Sequence, residues 1–280
     1  MTPALWPDCL RRRQRPGYNW LFVSAAFAAI TARLPKGWGD LGRQAAILVS
    51  VDLAYTFVRG IADGQRAVAM THGQQIIDLE KATGTFFEPA LQEFFLPAQG
   101  IIDIANQLYL NAQFSVALGF LVWLYLFRNE SYYFVRNMFV ASMGLALIGY
   151  SVYPTAPPRM FPEYGFVDTL NAFSEVGHDS SIAKIFINPY AAVPSMHCAF
   201  AMMIGGSGVM VCRRWWSKAW WAFWPLLVSW VTIVTANHYW VDAALGWLVA
   251  LTAAGIAYRL ALARPGAWSF NAAAPREAEA

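Results

Sequence analysis

Asn188-Pro189-Tyr190-Ala191-Ala192-Val193-Pro194-Ser195-Met196-His197 marks the point where a polar loop ends and a long apolar run begins. Proline fixes its own φ and lacks an N–H, so it suits the first turn of a helix. Ser195 and His197 then fall where backbone N–H groups have no partner within the helix. An anion fits there: free donors and the positive end of the helix dipole form a phosphate cradle. Ser195 adds a hydroxyl to it and His197 a group that titrates near neutral pH. The run that follows is one of several. Of the 280 residues, 58% are hydrophobic and 13% charged, against about 25% charged in an ordinary soluble domain. The expected fold class is all-α, a polytopic bundle of transmembrane helices.

Apolar runs long enough to cross roughly 30 Å of hydrocarbon lie near 104–127, 133–153, 194–212, 219–237 and 239–262. A shorter run, 44–60, carries Asp52 and Tyr55 and brings the expected number of spans to about six. The stretch 18–34 reads as interfacial or re-entrant. Between the first and second core spans, 61–100 is too polar to cross. Its mixed segments Met70 to Glu80 and Phe86 to Phe95 read as interfacial helices, forming either a lid and lipid entrance or a packed cap. Three segments follow: 1–43, basic with its interfacial or re-entrant stretch; 44–263, a membrane-embedded domain holding every candidate site residue; and 264–280, a disordered tail. Gly205, Gly206 and Gly208 suit close helix packing, and the aromatic cluster from Trp215 to Trp224 suits an interfacial belt.

Charge sets the sidedness. Arg128 and Arg136 are expected in one short loop, Arg213, Arg214 and Lys218 in another, and Arg259 and Arg264 at the end of the last span. Alternation of the spans puts all three clusters on one side, which the positive-inside rule makes the cytoplasm. The 154–193 loop and the start of the last helix then face the outside of a cell membrane. A net charge of +3 is too small to suggest a nucleic-acid partner. Cys9, Cys198 and Cys212 lack metal-ligand spacing and read as plain thiols, neither a disulfide framework nor a zinc site.

Two further stretches share the outer face with Ser195 and His197. The loop after the second confident span is about forty residues long and opens Tyr153-Pro154-Thr155-Ala156-Pro157-Pro158-Arg159, and loops of that length are usually functional. Three prolines hold it extended, so that Arg159, whose fork matches phosphate oxygens, is presented in a set position. The second stretch is Thr235-Ala236-Asn237-His238-Tyr239-Trp240-Val241-Asp242. His238 and Asp242 are four apart and share a helix face, so the carboxylate can accept the imidazole Nδ1–H and leave Nε2 to attack. An acid inside a membrane span is costly and by default functional.

Phosphoryl transfer asks for this set: cations and N–H donors around nonbridging oxygens, a nucleophile in line, and an acid for the leaving group. His238 is the expected nucleophile, Asp242 its orienting partner, and His197 the acid. Arg159 and Ser195 are expected on the phosphate. Tyr55 and Arg59, one turn apart at the outer end of the 44–60 helix, are further candidates for phosphate binding. No metal-ligand set is apparent and no cofactor is called for. The expected partners are a phospholipid or lipid-phosphate substrate, a lipid or small-alcohol acceptor, and the bilayer. Acyl transfer is disfavoured because no serine or cysteine nucleophile is paired with the histidines in sequence. The rival reading is a transporter or flippase in which Asp52, Asp103, Asn106, His197, His238 and Asp242 line a pathway, and the lack of paired halves stands against it.

In order, Arg159, Pro194-Ser195-Met196-His197 and His238-Tyr239-Trp240-Val241-Asp242 resemble the type 2 phosphatidic acid phosphatase superfamily. The family's second motif is usually Pro-Ser-Gly-His, where this chain has Met196, and its third usually carries arginine, where this chain has Thr232. Those departures, with Ala-Pro-Pro before Arg159 and Asn-His-Tyr-Trp-Val-Asp at the end, look more like the inositol phosphorylceramide synthase branch, which moves a phosphoinositol headgroup between lipids. The resemblance covers roughly Asp52 to Gly246. It implies a helical bundle with histidine-based chemistry through a phosphohistidine, with headgroup transfer slightly ahead of hydrolysis. Arg59 is the cation available to replace the missing arginine.

Overall fold

The computed structural model describes residues 24–25, 28, 31–32, 34–61, 66–170 and 190–263. The expected tail over 264–280, the interior of the long loop and most of the 18–34 run lie outside the described residues. The chain divides into two compact units, Met1–Gln44 and Ala45–Ala280. In the first, Trp38 Nε1 donates to Thr31 Oγ1 at 2.9 Å and Gln44 Nε2 to Asp40 Oδ1 at 3.1 Å.

The protein is an all-α helical membrane bundle. Its helices among the described residues are α1 (Gly37–Ile61), α2 (Arg66–Ala82), α3 (Glu88–Phe95), α4 (Gln99–Gln107), α5 (Gln113–Phe127), α6 (Asn129–Val152), α7 (Met196–Val211), α8 (Trp215–Val234) and α9 (Trp240–Ala263). A single widened π turn, Leu108–Ala112, joins α4 to α5. Among the described residues three helices are long and apolar enough to cross a bilayer: α1 over Gly37–Val58, α6 and α9. The pair α4–α5, bent by 54°, makes a fourth crossing if counted as one. The other two expected spans fall short of the expectation of about six: α7, with 16 residues, is a shorter apolar helix, and α8, with 20, is not apolar enough along its length to count as a crossing. At 1.5 Å per residue α7 is only about 24 Å long.

Outward faces of these helices carry Phe57, Phe114, Ile148, Met210, Leu251 and Leu262, each more than half exposed. A water-soluble protein would not leave so much apolar surface uncovered, and lipid tails accept it. Trp215, Trp216 and Trp220 are exposed at the start of α8 beside Arg213 and Arg214, as an interfacial belt requires.

Inside the bundle α7 packs against α6, α8 and α9. A Cβ on Gly205 would lie 2.7 Å from Pro225 Cγ, and one on Gly208 would lie 2.4 Å from the Trp221 ring, so both glycines serve the close approach of α8. Gly206 faces open space.

One placement differs from expectation. Only Arg128 separates α5 from α6, and Arg136 lies two turns inside α6, fully buried. Glu130 in the first turn favours that earlier helix start. Arg136 is accommodated by Asn137 Oδ1, at 2.7 Å from Nη2, and by the Tyr133 ring 5.5 Å away.

Segments α2 and α3 take the packed form rather than an open lid. Ala69, Ile76 and Ile77 of α2 are buried in one cluster with Phe161, Phe166, Val193 and Tyr239. This cap covers the loops that carry the candidate site.

Candidate active site

Two ends of the long loop are pinned together before any side chain is considered. Thr155 and Ala191 form an isolated parallel bridge, with Thr155 N–H donating to Tyr190 O at 2.7 Å and Ala192 N–H to Thr155 O at 3.3 Å. The pin ties together the two segments that carry Arg159, four residues past Thr155, and Ser195, four residues past Ala191. Arg159 N–H then donates to Ala236 O at 2.9 Å, which joins the third stretch to the first two. Ala236 holds a left-handed φ of 54° in the turn between α8 and α9, a conformation non-glycine residues adopt mainly where the surroundings enforce it.

The start of α7 departs from the sequence expectation. The helix begins at Met196 with Ser195 as its N-cap and Pro194 outside it. Ser195 Oγ accepts Cys198 N–H at 3.3 Å, as serine caps do. Ser195 N–H donates to Asp242 O at 3.1 Å, so two of the donors expected for an anion are already taken. The same contact draws α9 against the α7 tip. Gly246 permits it, since a Cβ there would stand 2.3 Å from Ser195 O.

His238 is buried, and its Nδ1 faces two acceptors, Ala192 O at 3.0 Å and Asp242 Oδ2 at 3.3 Å. Neither oxygen can donate as carbonyl or carboxylate, so Nδ1 carries the proton and Nε2 the lone pair. Asp242 Oδ2 also accepts Tyr239 N–H at 3.1 Å, while Oδ1 meets no donor among the described residues. Burial, and then the positive charge of Arg159, push the His238 imidazole down to about 3, so it is neutral at physiological pH. The His197 ring lies with its centroid 5.7 Å from that of His238. His197 Nε2 is 3.2 Å from Tyr109 O, and the Tyr109 ring stacks on the imidazole at 4.2 Å.

Arg159 is held by a residue that the sequence reading passed over. Its Nη1 donates to Asn237 Oδ1, and its Nε stands 3.9 Å from Asp168 Oδ2. Asn237 is 1% exposed and steadied by its own bonds to Thr235 Oγ1 at 2.8 Å and Thr235 O at 3.2 Å. Its position next to His238 in the Asn-His-Tyr-Trp-Val-Asp run was the available signal.

Helix α3 closes the assembly from above. Glu88 Oε1 accepts Trp240 N–H at 3.0 Å, at the start of α9, and Gln92 Nε2 donates to Val234 O at 3.1 Å, at the end of α8. Helix ends leave such groups without intrahelical partners, and one face of α3 satisfies both. Glu80, fully buried on α2, finds no donor for either oxygen among the described residues. Burial and the charges of Glu88 and Asp242 hold its carboxyl up to about 9. As an acid it supplies the donor that Glu88 Oε2 otherwise lacks. Tyr239 is also fully buried, its hydroxyl donating to Ala156 O at 3.2 Å, and burial and nearby carboxylates push its pKa above the ordinary tyrosine value, so it stays neutral.

Other expected residues fall elsewhere. Tyr55 contacts the Tyr150 hydroxyl at 3.4 Å, and Tyr150 donates to Pro194 O at 3.1 Å, so Tyr55 reaches the α7 tip through a relay. The side chain of Arg59 lies outside the described residues. Thr232, at the position of the usual arginine, is buried and offers its carbonyl to the N–H groups of Asn237 and His238 at 3.0 and 3.1 Å. Of the residues a transport pathway would need, Asp52 and Asp103 are exposed and Asn106 is tied to Thr169. No group of three metal-ligating side chains gathers among the described residues.

The geometry can be set beside known proteins. A family model described as the PAP2 superfamily matches residues 74–256. Over 167 residues the chain is 27% identical to a protein of Bacteroides thetaiotaomicron named phosphoinositol dihydroceramide synthase, covering 54% of this chain and 54% of that one. The chain therefore spans about half the length of this curated relative. No solved structure matches the chain at a significant level. The matched region contains Arg159, Ser195, His197, His238 and Asp242, and with well over half of its length inside that region the chain belongs to the PAP2 superfamily.

Proposed function

We propose that this membrane-embedded lipid phosphotransferase or phosphatase works by headgroup transfer through a phosphohistidine on His238. One observation carries the reading: the two imidazoles lie 5.7 Å apart on one face, and His238 has Nδ1 occupied, so that Nε2 is the nucleophilic atom. Asp242 and the Ala192 carbonyl hold the ring and stabilise the charge that develops when Nε2 bonds phosphorus. Arg159, held by Asn237, and the α7 tip with Ser195 bind the nonbridging oxygens. His197 gives a proton to the departing alcohol and takes one from the acceptor. No metal is assigned a role. Tyr55 acts through Tyr150 and Pro194, and Arg59 remains the candidate for the second cation.

The name of the relative and the form of the third motif together support a phosphoinositol headgroup and a ceramide-type acceptor. The site opens on the extracytoplasmic face, because Arg128, Arg213, Arg214 and Lys218 cluster at the opposite end of the bundle. Purified protein in detergent, given radiolabelled phosphatidylinositol and a short-chain dihydroceramide, should form a labelled inositol-containing sphingolipid. His238→Ala should form none. Release of free phosphoinositol unaffected by the acceptor would favour hydrolysis, and product formation by His238→Ala would overturn the mechanism.

A further inference from the structure

We infer that Tyr109, on the π turn Leu108–Ala112, is a positioning residue for His197 and fixes which ring nitrogen exchanges a proton with the substrate. The inference rests on the reading of His197 as general acid and base. π turns are rare and recur at functional sites, because the widened turn takes carbonyls out of the regular helical ladder. Here two carbonyls in and beside the turn also meet side chains. Gln107 O accepts from Asn111 Nδ2 at 3.2 Å, and Tyr109 O faces His197 Nε2 at 3.2 Å. The Tyr109 ring lies over the imidazole with centroids 4.2 Å apart and planes within 20° of parallel. One residue thus holds His197 from its edge through the backbone and from its face through the side chain. The same tyrosine ring stands 6.4 Å from that of His238, so it packs against the reacting pair.

A carbonyl oxygen accepts and never donates. Nε2 of His197 therefore keeps its proton in both charge states, and the proton that moves belongs to Nδ1. In the first half-reaction His238 Nε2 bonds phosphorus, the bond from phosphorus to the departing alcohol oxygen breaks, and that oxygen takes the Nδ1 proton of the His197 imidazolium. The ring is left neutral with Nε2–H still on Tyr109 O. In the second half the acceptor hydroxyl bonds phosphorus, gives its proton to Nδ1, and displaces His238 Nε2. Rotation of an unheld imidazole would spoil both transfers, and the stacked ring prevents it. Leu108, Tyr109 and His197 also line a small, mainly apolar gap with Phe200, Leu227 and Val231, so the acid borders apolar side chains.

Leaving-group dependence separates positioning of an acid from general support of the fold. Two donors with the same phosphoinositol would be compared in single turnover: dioctanoyl phosphatidylinositol, whose alkoxide needs a proton, and p-nitrophenyl phosphoinositol, whose phenolate leaves without one. Tyr109→Ala keeps the backbone carbonyl but removes the ring. It should slow the alkyl donor by roughly tenfold to a hundredfold, a fraction of what general acid catalysis contributes, and the nitrophenyl donor by less than about threefold. Tyr109→Phe, which restores the ring, should recover most of the lost rate. Equal losses on both donors, or none on either, would overturn the inference. His197→Ala tells the two failures apart. If it discriminates between the donors and Tyr109→Ala does not, only the role of Tyr109 falls; if it does not discriminate, the acid–base reading falls with it.

Discussion

The nucleophilic role proposed for His238 depends on what touches the other side of its ring. A neutral imidazole in a buried site has one nitrogen to anchor and one to use, and here Ala192 O and Asp242 Oδ2 both claim Nδ1. Burial, and then Arg159, keep the ring uncharged, so in the proposed mechanism no proton has to leave before attack. In that proposed mechanism the carboxylate matters most once Nε2 bonds phosphorus and the ring becomes cationic. Asp242→Asn keeps the shape and removes that charge. The expected result is a kcat lower by about 10²- to 10³-fold, in the range one general-acid or general-base group contributes, with KM for the donor little changed. Steady-state kinetics with a thermal melt on the same preparation checks it, and an unchanged kcat would exclude the assigned role.

Single residues of the third stretch matter because α3 fixes the ends of the helices on either side. Glu88 and Gln92 are one turn apart, so one helix face reaches both the start of α9 and the end of α8. Behind Glu88, the protonated Glu80 makes the cap sensitive to pH, and the sign follows from its direction of shift. Its carboxyl is raised from 4.5 to about 9 in the folded protein. At pH below the unfolded value both states hold the proton and there is no penalty. As pH climbs through that window the unfolded chain gives up its proton first, and stability is lost. Glu80→Gln keeps a donor and never ionises. It should unfold at nearly the wild-type temperature at pH 4.5 and at a higher one at pH 8, whereas an identical difference at both pH values would contradict a buried acid at this position.

How much of this was legible without coordinates depends on distance along the chain. The placement of Arg159, His197, His238 and Asp242 could be anticipated because each sits at the edge of an apolar run, and the contact of His238 with Asp242 because they are four residues apart. The partners that hold them could not. Glu88 meets Trp240 across 152 residues, and Tyr109 meets His197 across 88 through a π turn that no residue pattern announces. Arg136 was misplaced because its charge suggested a loop, while Asn137 and Tyr133 let α6 bury it.

At the scale of the whole bundle, the two ends differ in character. One carries both histidines beneath the α2–α3 cap, and the other carries Arg128, Arg213, Arg214 and Lys218 with the exposed tryptophans of α8. A charge difference of that kind orients a membrane protein. In a Cys212→Ser background, cysteine introduced at Glu163 should react with an impermeant maleimide in intact cells, and cysteine at Lys218 only after permeabilisation. The reverse pattern would turn the bundle over and place the site in the cytoplasm.

The decisive measurement is chemical. Rapid quench of the protein with a donor labelled at phosphorus, under alkaline conditions that preserve phosphoramidates, followed by peptide mapping, reports where phosphorus goes between donor and acceptor. Label that is stable to alkali, lost in acid, and confined to the peptide containing His238 is expected, and it should discharge when an acceptor alcohol is added. Turnover with no labelled protein at any time, or label on a residue other than His238, would contradict the mechanism.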